Sequence, residues 1–367
     1  MRLGPGAIRV LVGRRAPAHR SGRTRDTPSV SSPTPFKSRR SRVALLAGLA
    51  AAFCVGALVA LQSKVNGALA VRLGGDVPAG LEAALISFGG GLILLLAATA
   101  LSPSLRRRLA DVAAALRERL LRPWQVVGGA CGAFLVSTQG LTIHIIGVAL
   151  FTVAVVAGQS VGALVVDNLG LGPAGRRPIS TVRVVGAALA VVAVVISVSG
   201  RVGDVGGISG SEWLWLLLPL IAGLVTTWQQ AMNGVVAVVG SPGAATVINF
   251  VAGTVVLLAV VGVAAGVTGG LSAPPSAGLA DAWLYLGGPM GIAFIWLAAR
   301  LVRTLGVLLL GLATVAGQIL GALVIDLVAD HPLRWQTVAG AVLTLVGVAV
   351  AALAGRLRAR SRRTATR

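Results

Sequence analysis

The chain has 367 residues, 56% hydrophobic and 12% charged, with a mean hydropathy of +0.88. A soluble domain carries about 25% charged residues, so a water-soluble globular fold is excluded and lipid is the expected solvent. The formal charge of +21 is concentrated in 1–42, 102–123 and 356–367, with no basic stripe interleaved with aromatics; this reads as cytoplasmic flanks of spanning helices facing an anionic lipid surface, and it argues against nucleic acid as a partner.

In chain order, residues 1–42 are rich in Arg, Ser and Pro with Asp26 as the only acid, which predicts a basic, disordered cytoplasmic tail. Organellar transit peptides share that composition, and so would translation from an upstream start. A membrane crossing needs about 20 apolar residues. Runs near 43–63, 80–101, 124–143, 147–168 and 180–199 supply five. A linker, 201–212, leads to five more near 213–236, 243–267, 282–300, 304–326 and 335–355, and a basic cytoplasmic tail, 356–367, closes the chain. The expected fold class is all-α: a polytopic membrane protein with ten transmembrane helices in two five-helix repeats, 43–200 and 213–355.

The two sets are copies. The block from Ala157 to Asp167 (AGQSVGALVVD) returns as Ala316 to Asp326 (AGQILGALVID). Trp124, Gly128, Gly129, Gly132 and Gly147 face Trp283, Gly287, Gly288, Gly291 and Gly306 at the same separation. In slightly shifted register, Gln62 and Asn66 pair with Gln229 and Asn233, Ser87-Phe88 with Asn249-Phe250, and Pro178 and Gly186 with Pro332 and Gly340. An odd number of spans per copy requires the second to enter the membrane inverted. The arginines agree: Arg39, Arg40 and Arg42, the six between Arg106 and Arg122, Arg176 and Arg177, Arg300 and Arg303, and those from Arg356 onward all fall on one side, which marks it as cytoplasmic. The other side receives Arg72, Arg201 and Arg334, with Lys64 near the end of span one. Both termini and 102–123 are therefore expected inside, and 268–281 outside. Internal duplication of this kind is the signature of a transporter working by alternating access.

Gln62-Ser63-Lys64-Val65-Asn66-Gly67, Ser87-Phe88 with Gly89 to Gly91, and the Gly158-Gln159 to Asp167 block resemble the YdcZ-like bacterial inner-membrane proteins of the drug/metabolite transporter superfamily. The resemblance covers residues 43–355. It implies a ten-helix carrier acting as an exporter in the plasma membrane, from a family with many single-repeat chains, so that this double-length chain would be a complete transport unit. One departure is Ala231, which stands where the first copy has Lys64.

Candidate site residues follow from polarity inside apolar runs. Gln62 and Asn66 lie four apart on one helical face, and Gln229 and Asn233 repeat that face. Four amides supply donors and acceptors for a polar solute without requiring charge, or else hydrogen-bond between helices. Trp228 and Trp296 could wall such a site or serve as structural aromatics. Gly158 with Gly162, and Gly317 with Gly321, form small-residue faces for close helix packing. Gln159 and Gln318 sit within those faces and must bond a neighbouring backbone or the cargo. Asp167 and Asp326, near their helix ends, read as solvated interfacial carboxylates. Glu82 is the acid with a claim to membrane depth and is the candidate for proton coupling, with Lys64 as its potential partner. The alternatives are that Glu82 sits in the first turn of its helix, where an anion is favoured, and that Lys64 snorkels.

No metal site is expected from His19, His144 and His331, which are far apart, and Cys54 and Cys131 form no recognisable disulfide or zinc pattern. No Walker-type phosphate loop is present. No cofactor and no catalytic residues are assigned. The expected partners are the bilayer and a small polar or amphipathic solute, with oligomeric state, a homo-oligomer included, left open. Two rival readings stand beside the carrier: an intramembrane enzyme, for which convergent His, Asp, Glu or Ser groups are lacking, and a non-transporting scaffold or regulatory subunit, in which the amides only fasten helices.

Overall fold

The computed structural model describes residues 36–173, 175–176, 179–202, 210–275, 278, 280–329 and 333–364. Among them the regular elements are all helical: α1 (Phe36–Leu73), α2 (Val77–Leu101), α3 (Pro103–Arg117), α4 (Gly129–Leu169), α5 (Thr181–Val202), α6 (Gly210–Val239), α7 (Pro242–Thr268), α8 (Gly287–Val328) and α9 (Trp335–Thr364). Short 3-10 turns, Pro123–Gln125 and Ala282–Leu286, precede α4 and α8. The chain divides into Met1–Leu46 and Ala47–Arg367; the packing described below is that of the second unit. Most of the basic tail, most of the 201–212 linker, His19, His331, Arg177 and the Pro178/Pro332 pair lie outside the described residues.

Five helical stretches among the described residues are long and apolar enough to cross a membrane: Val43–Leu73, Val77–Leu101, Pro123–Leu169, Pro242–Thr268 and Leu310–Val328. Thr181–Ser197, Ala282–Ala298 and Trp335–Val350 are shorter apolar helices. Helix starts are set by local chemistry. Asp76 accepts from Ala79 N at 2.9 Å ahead of Pro78, and Ser241 accepts from Ala244 N at 3.1 Å ahead of Pro242. A side-chain oxygen thereby satisfies one of the free donors of each first turn, while proline fits where no donor is needed.

At 41 residues α4 would be about 60 Å long if straight, twice the hydrocarbon thickness. It is not straight. Gly147 has φ 77° and ψ 163°, a conformation that side-chain-bearing residues avoid, and there the helix folds back into α4a (129–146) and α4b (148–169). The neighbours of α6 record the reversal. Gly158 and Gly162 meet Leu220 and Leu224 in parallel order, whereas Gly132 and Gly128 meet Gln229 and Asn233 in reverse order. Helix α8 does the same against α1. Gly317 and Gly321 follow Phe53 and Ala57 in parallel, while Gly291 and Gly287 meet Gln62 and Asn66 in reverse. The contacts of α8 with α1 therefore reverse between Gly291 and Gly317; its two ends are called α8a (287–291) and α8b (317–328).

Equivalent residues make equivalent contacts with the opposite half. Gly56 faces Thr314 and Gln318, and Gly223 faces Val155 and Gln159; Gly129 faces Asn249 and Gly253, and Gly288 faces Ser87 and Gly91. Phe88 on α2 and Phe250 on α7 meet ring to ring at 5.0 Å. Asp326 at the end of α8b bonds the start of α4b, and Ile319 packs in one cluster with Val153, so α4b and α8b run antiparallel. Since α6 runs with α4b and α1 with α8b, the matching helices α1 and α6 point in opposite directions.

Two expectations need correction. The arginine-rich segment 102–123 is largely helix, not a plain loop. Ser102 accepts from Leu105 N at 3.3 Å ahead of Pro103 to start α3, and its Val112 and Ala115 are buried in one cluster with Val236 and Ala245 of the second half. Cys54, whose place inside an apolar run suggests a packing role, is exposed; its helix face carries the exposed Phe53 and Leu61 as well.

Candidate functional site

Four of the amides selected from the sequence lie in two clusters, the first hydrogen-bonded to the opposite half at Gly287 and the second packed against it at Gly132. In the first, Gln62 Nε2 donates to Gly287 O at 2.8 Å, Asn66 Nδ2 donates to Gln139 Oε1 at 2.6 Å, and Gln139 Nε2 donates to Ser63 Oγ at 3.0 Å. In the second, Gln229 Nε2 and Asn233 Nδ2 both donate to Asn249 Oδ1, at 2.8 and 3.1 Å. The Phe88–Phe250 pair stands between them: Phe88 borders Gly132, which also meets Gln229, and Phe250 borders Gly291, which also meets Gln62. The four amides therefore do not ring a single opening. They form two polar strips along the seam between the halves, separated by aromatic rings.

One atom in the first strip is left over. Asn66 is fully buried, and its Oδ1 has no hydrogen-bond partner, a state that costs about 1–3 kcal/mol. It lies against the backbone of Gly287. The strips offer uncharged donors and acceptors in a setting where an unpaired polar group is expensive, so a solute entering the seam would have to exchange hydrogen bonds with them.

The small-residue faces pack backbone on backbone. A Cβ on Gly158 would stand 2.9 Å from Leu220 C and Leu224 N, and one on Gly317 would stand 2.7 Å from Phe53 C. Gly162 approaches Thr227, and Gly321 approaches Ala57. Thr227 Oγ1 donates to Gln159 O at 3.2 Å, which uses the backbone of that glutamine. Gln318 is buried, with its backbone N beside Gly56. Trp228 stacks on Trp124 with centroids 6.3 Å apart. Trp296 is 52% exposed, with the Arg300 guanidinium 5.6 Å over its ring, so it faces away from the amide strips.

Glu82 and Lys64 are not paired. The Glu82 carboxylate is buried and accepts from Ser272 N at 3.2 Å through both oxygens, which ties the first turns of α2 to the segment after α7. Asp326 is not a solvated carboxylate. It is 4% exposed, and it accepts from Val148 N at 2.9 Å and from Ala149 N at 2.7 Å. Folding α4 back at Gly147 frees the first donors of α4b, and a carboxylate there satisfies them and faces the positive end of the helix dipole. Asp167, its repeat counterpart, instead bonds Arg183 Nη2 at 2.6 Å. The sequence contains a reason for the difference: Arg183 aligns with Thr337, so only the first copy offers a cation at that place.

A cavity of about 340 Å³ opens beside the Gly147 turn, its polar lining supplied by Lys64, Arg72, His144 and Asp326 and its apolar lining including Ile143 and Trp283. His144 is exposed, as its place at a turn requires. Among the described residues, no group of three or more His, Cys, Asp or Glu side chains is placed to hold a metal ion.

Gln139 and Asn249, each central to a strip, were not selected from the sequence. Gln139 aligns with Ala298, so the repeat does not flag it; Asn249 aligns with Ser87 and was visible only as a match. A lone amide in an apolar run was the available signal for Gln139.

A family model described as "Putative inner membrane exporter, YdcZ" matches residues 47–196 and 214–350. No curated protein matches the chain. Seven solved chains match; one, titled only "Crystal structure of protein", covers 86% of this chain and 98% of its own at 19% identity with a TM-score of 0.51, a likeness of fold alone.

Proposed function

We propose a transport mechanism for this chain, which belongs to the DMT YdcZ family: it is a secondary transporter that exports a small polar or amphipathic metabolite across the inner (plasma) membrane by alternating access. Its ten helical rods cross the bilayer as two inverted five-helix repeats, with both termini on the cytoplasmic side. The observation that carries this reading is the reciprocal seam. Gly56 and Gly223, Gly129 and Gly288, and Phe88 and Phe250 make the same contacts in exchanged roles, and α1 and α6 run in opposite directions. Two copies related in this way can swap conformations, which exchanges an inward opening for an outward one. The solute would meet the amides of the seam, Gln62, Asn66, Gln229 and Asn233, with the orphan oxygen of Asn66 as a ready acceptor.

One observation favours the second reading, a non-transporting scaffold or regulatory subunit. The amides already spend hydrogen bonds on other helices. Counterflow in sealed proteoliposomes, run with solutes found by thermal stabilisation of the purified protein, separates the two. Saturable exchange supports the transporter; stabilising ligands that never cross would support the regulatory subunit.

A further inference from the structure

We infer that the cavity beside the Gly147 turn is a binding subsite for the carboxylate of a small amphipathic anion, with Lys64 as its cation. This deepens the transport reading and rests on it for what the site serves, although binding can be measured without flux.

The acid on the cavity wall and the one paired with its arginine are already engaged: Asp326 takes the two N–H groups that open α4b, and Asp281 pairs with Arg72. Lys64 is half-buried on the cavity wall and, among the described residues, makes no ion pair. A partly buried ammonium with no carboxylate at ion-pair distance attracts an anion, because attraction across a few ångströms strengthens as water is displaced. Arg72 and His144 line the same space, so the further polar groups there include donors that suit an anion.

The rest of the lining sets the size and character of the occupant. A volume of about 340 Å³ is at the lower end of the range for small-molecule sites. Ile143, Leu284 and Trp283 give it an apolar wall, and an aromatic face adds specific contact area. An acid with a compact apolar body satisfies both ends of the site, whereas an inorganic anion would leave the wall unused. Asp326 lies on the same wall, but both of its oxygens are taken by the N–H groups that open α4b. The feature belongs to the first copy only, since Ala231 and Val239 stand at the positions equivalent to Lys64 and Arg72.

Calorimetric titration of the purified full-length protein in a zwitterionic detergent tests this with three probes: benzoate, its neutral isostere benzamide, and inorganic phosphate. Benzoate should bind, benzamide should bind at least tenfold more weakly, and phosphate should fail to displace benzoate. Lys64→Gln should weaken benzoate at least tenfold, and Lys64→Arg should restore most of the loss, which also shows that the site still folds. Equal binding of benzoate and benzamide, unchanged affinity in Lys64→Gln, or displacement by phosphate would each overturn the assignment. Failure of benzoate to bind while another solute is still exchanged would remove this subsite and leave transport standing. Benzoate binding without exchange of any solute would do the reverse.

Discussion

Replacing Gly158 by alanine places one methyl group where α4b and α6 touch through their backbones. The new Cβ would stand 2.9 Å from Leu220 C and Leu224 N, with Leu220 O nearer still, against an ordinary carbon contact of about 3.5–4.0 Å. Neither neighbour is a flexible side chain, so the helices must part by roughly 1 Å, which forfeits part of the contact energy along the whole crossing. Overpacking of this kind costs about 1–3 kcal/mol, on the order of 5 °C in apparent Tm for a chain of this size. Gly317→Ala should match it, because that Cβ would meet Phe53 in the same way. Gly262→Ala is the control: nothing lies within 4 Å of its Cβ, and alanine is the better helix former by about 1 kcal/mol. Thermal unfolding followed by size-exclusion chromatography in one detergent ranks the three. If Gly158→Ala melts no lower than Gly262→Ala, the backbone-on-backbone contact is wrong.

Asp326→Ala should strand two buried donors, Val148 N and Ala149 N, at about 1–3 kcal/mol each. Asp167→Ala breaks a partly exposed ion pair worth up to about 1 kcal/mol, so equal melting temperatures for the two variants would refute the capping role. A cysteine placed in 268–281 should react with an impermeant reagent on intact cells while one in 102–123 should not, and the opposite pattern would reverse the proposed orientation. Replacing Gln62 and Asn66 together by leucine should weaken binding of a transported solute while the protein still inserts; lost stability with wild-type affinity in the surviving fraction would make these amides fasteners only.

The helices and their duplication were legible because spanning a bilayer forces long apolar runs, and because Gly129, Gly158 and their partners are fixed by contacts that admit no side chain. The helix of 103–117 was hidden by its charge: four arginines among its residues read as a flank, and only Val112 and Ala115 disclose a buried side. The amides were visible as polar groups in apolar surroundings, but their distribution into two strips was not, since that depends on Phe88 and Phe250 meeting across the seam. Asp326 was misread for a similar reason. Its burial comes from the Gly147 turn of the other half, 179 residues away in the chain, and no local pattern reports such a neighbour.

The folded-back hairpins α4 and α8 have a consequence for how this molecule can be taken apart. Each carries the small-residue face of its own half but lays it against the other half's first helix, α6 for α4 and α1 for α8, so the arms are exchanged as in a clasped handshake. The unit that was copied in the gene is therefore not the unit that holds together. Residues 43–200 expressed alone would leave the backbone groove of Gly158 and Gly162 open, with no Leu220 or Leu224 to fill it, and would have to find a second polypeptide able to lend an arm.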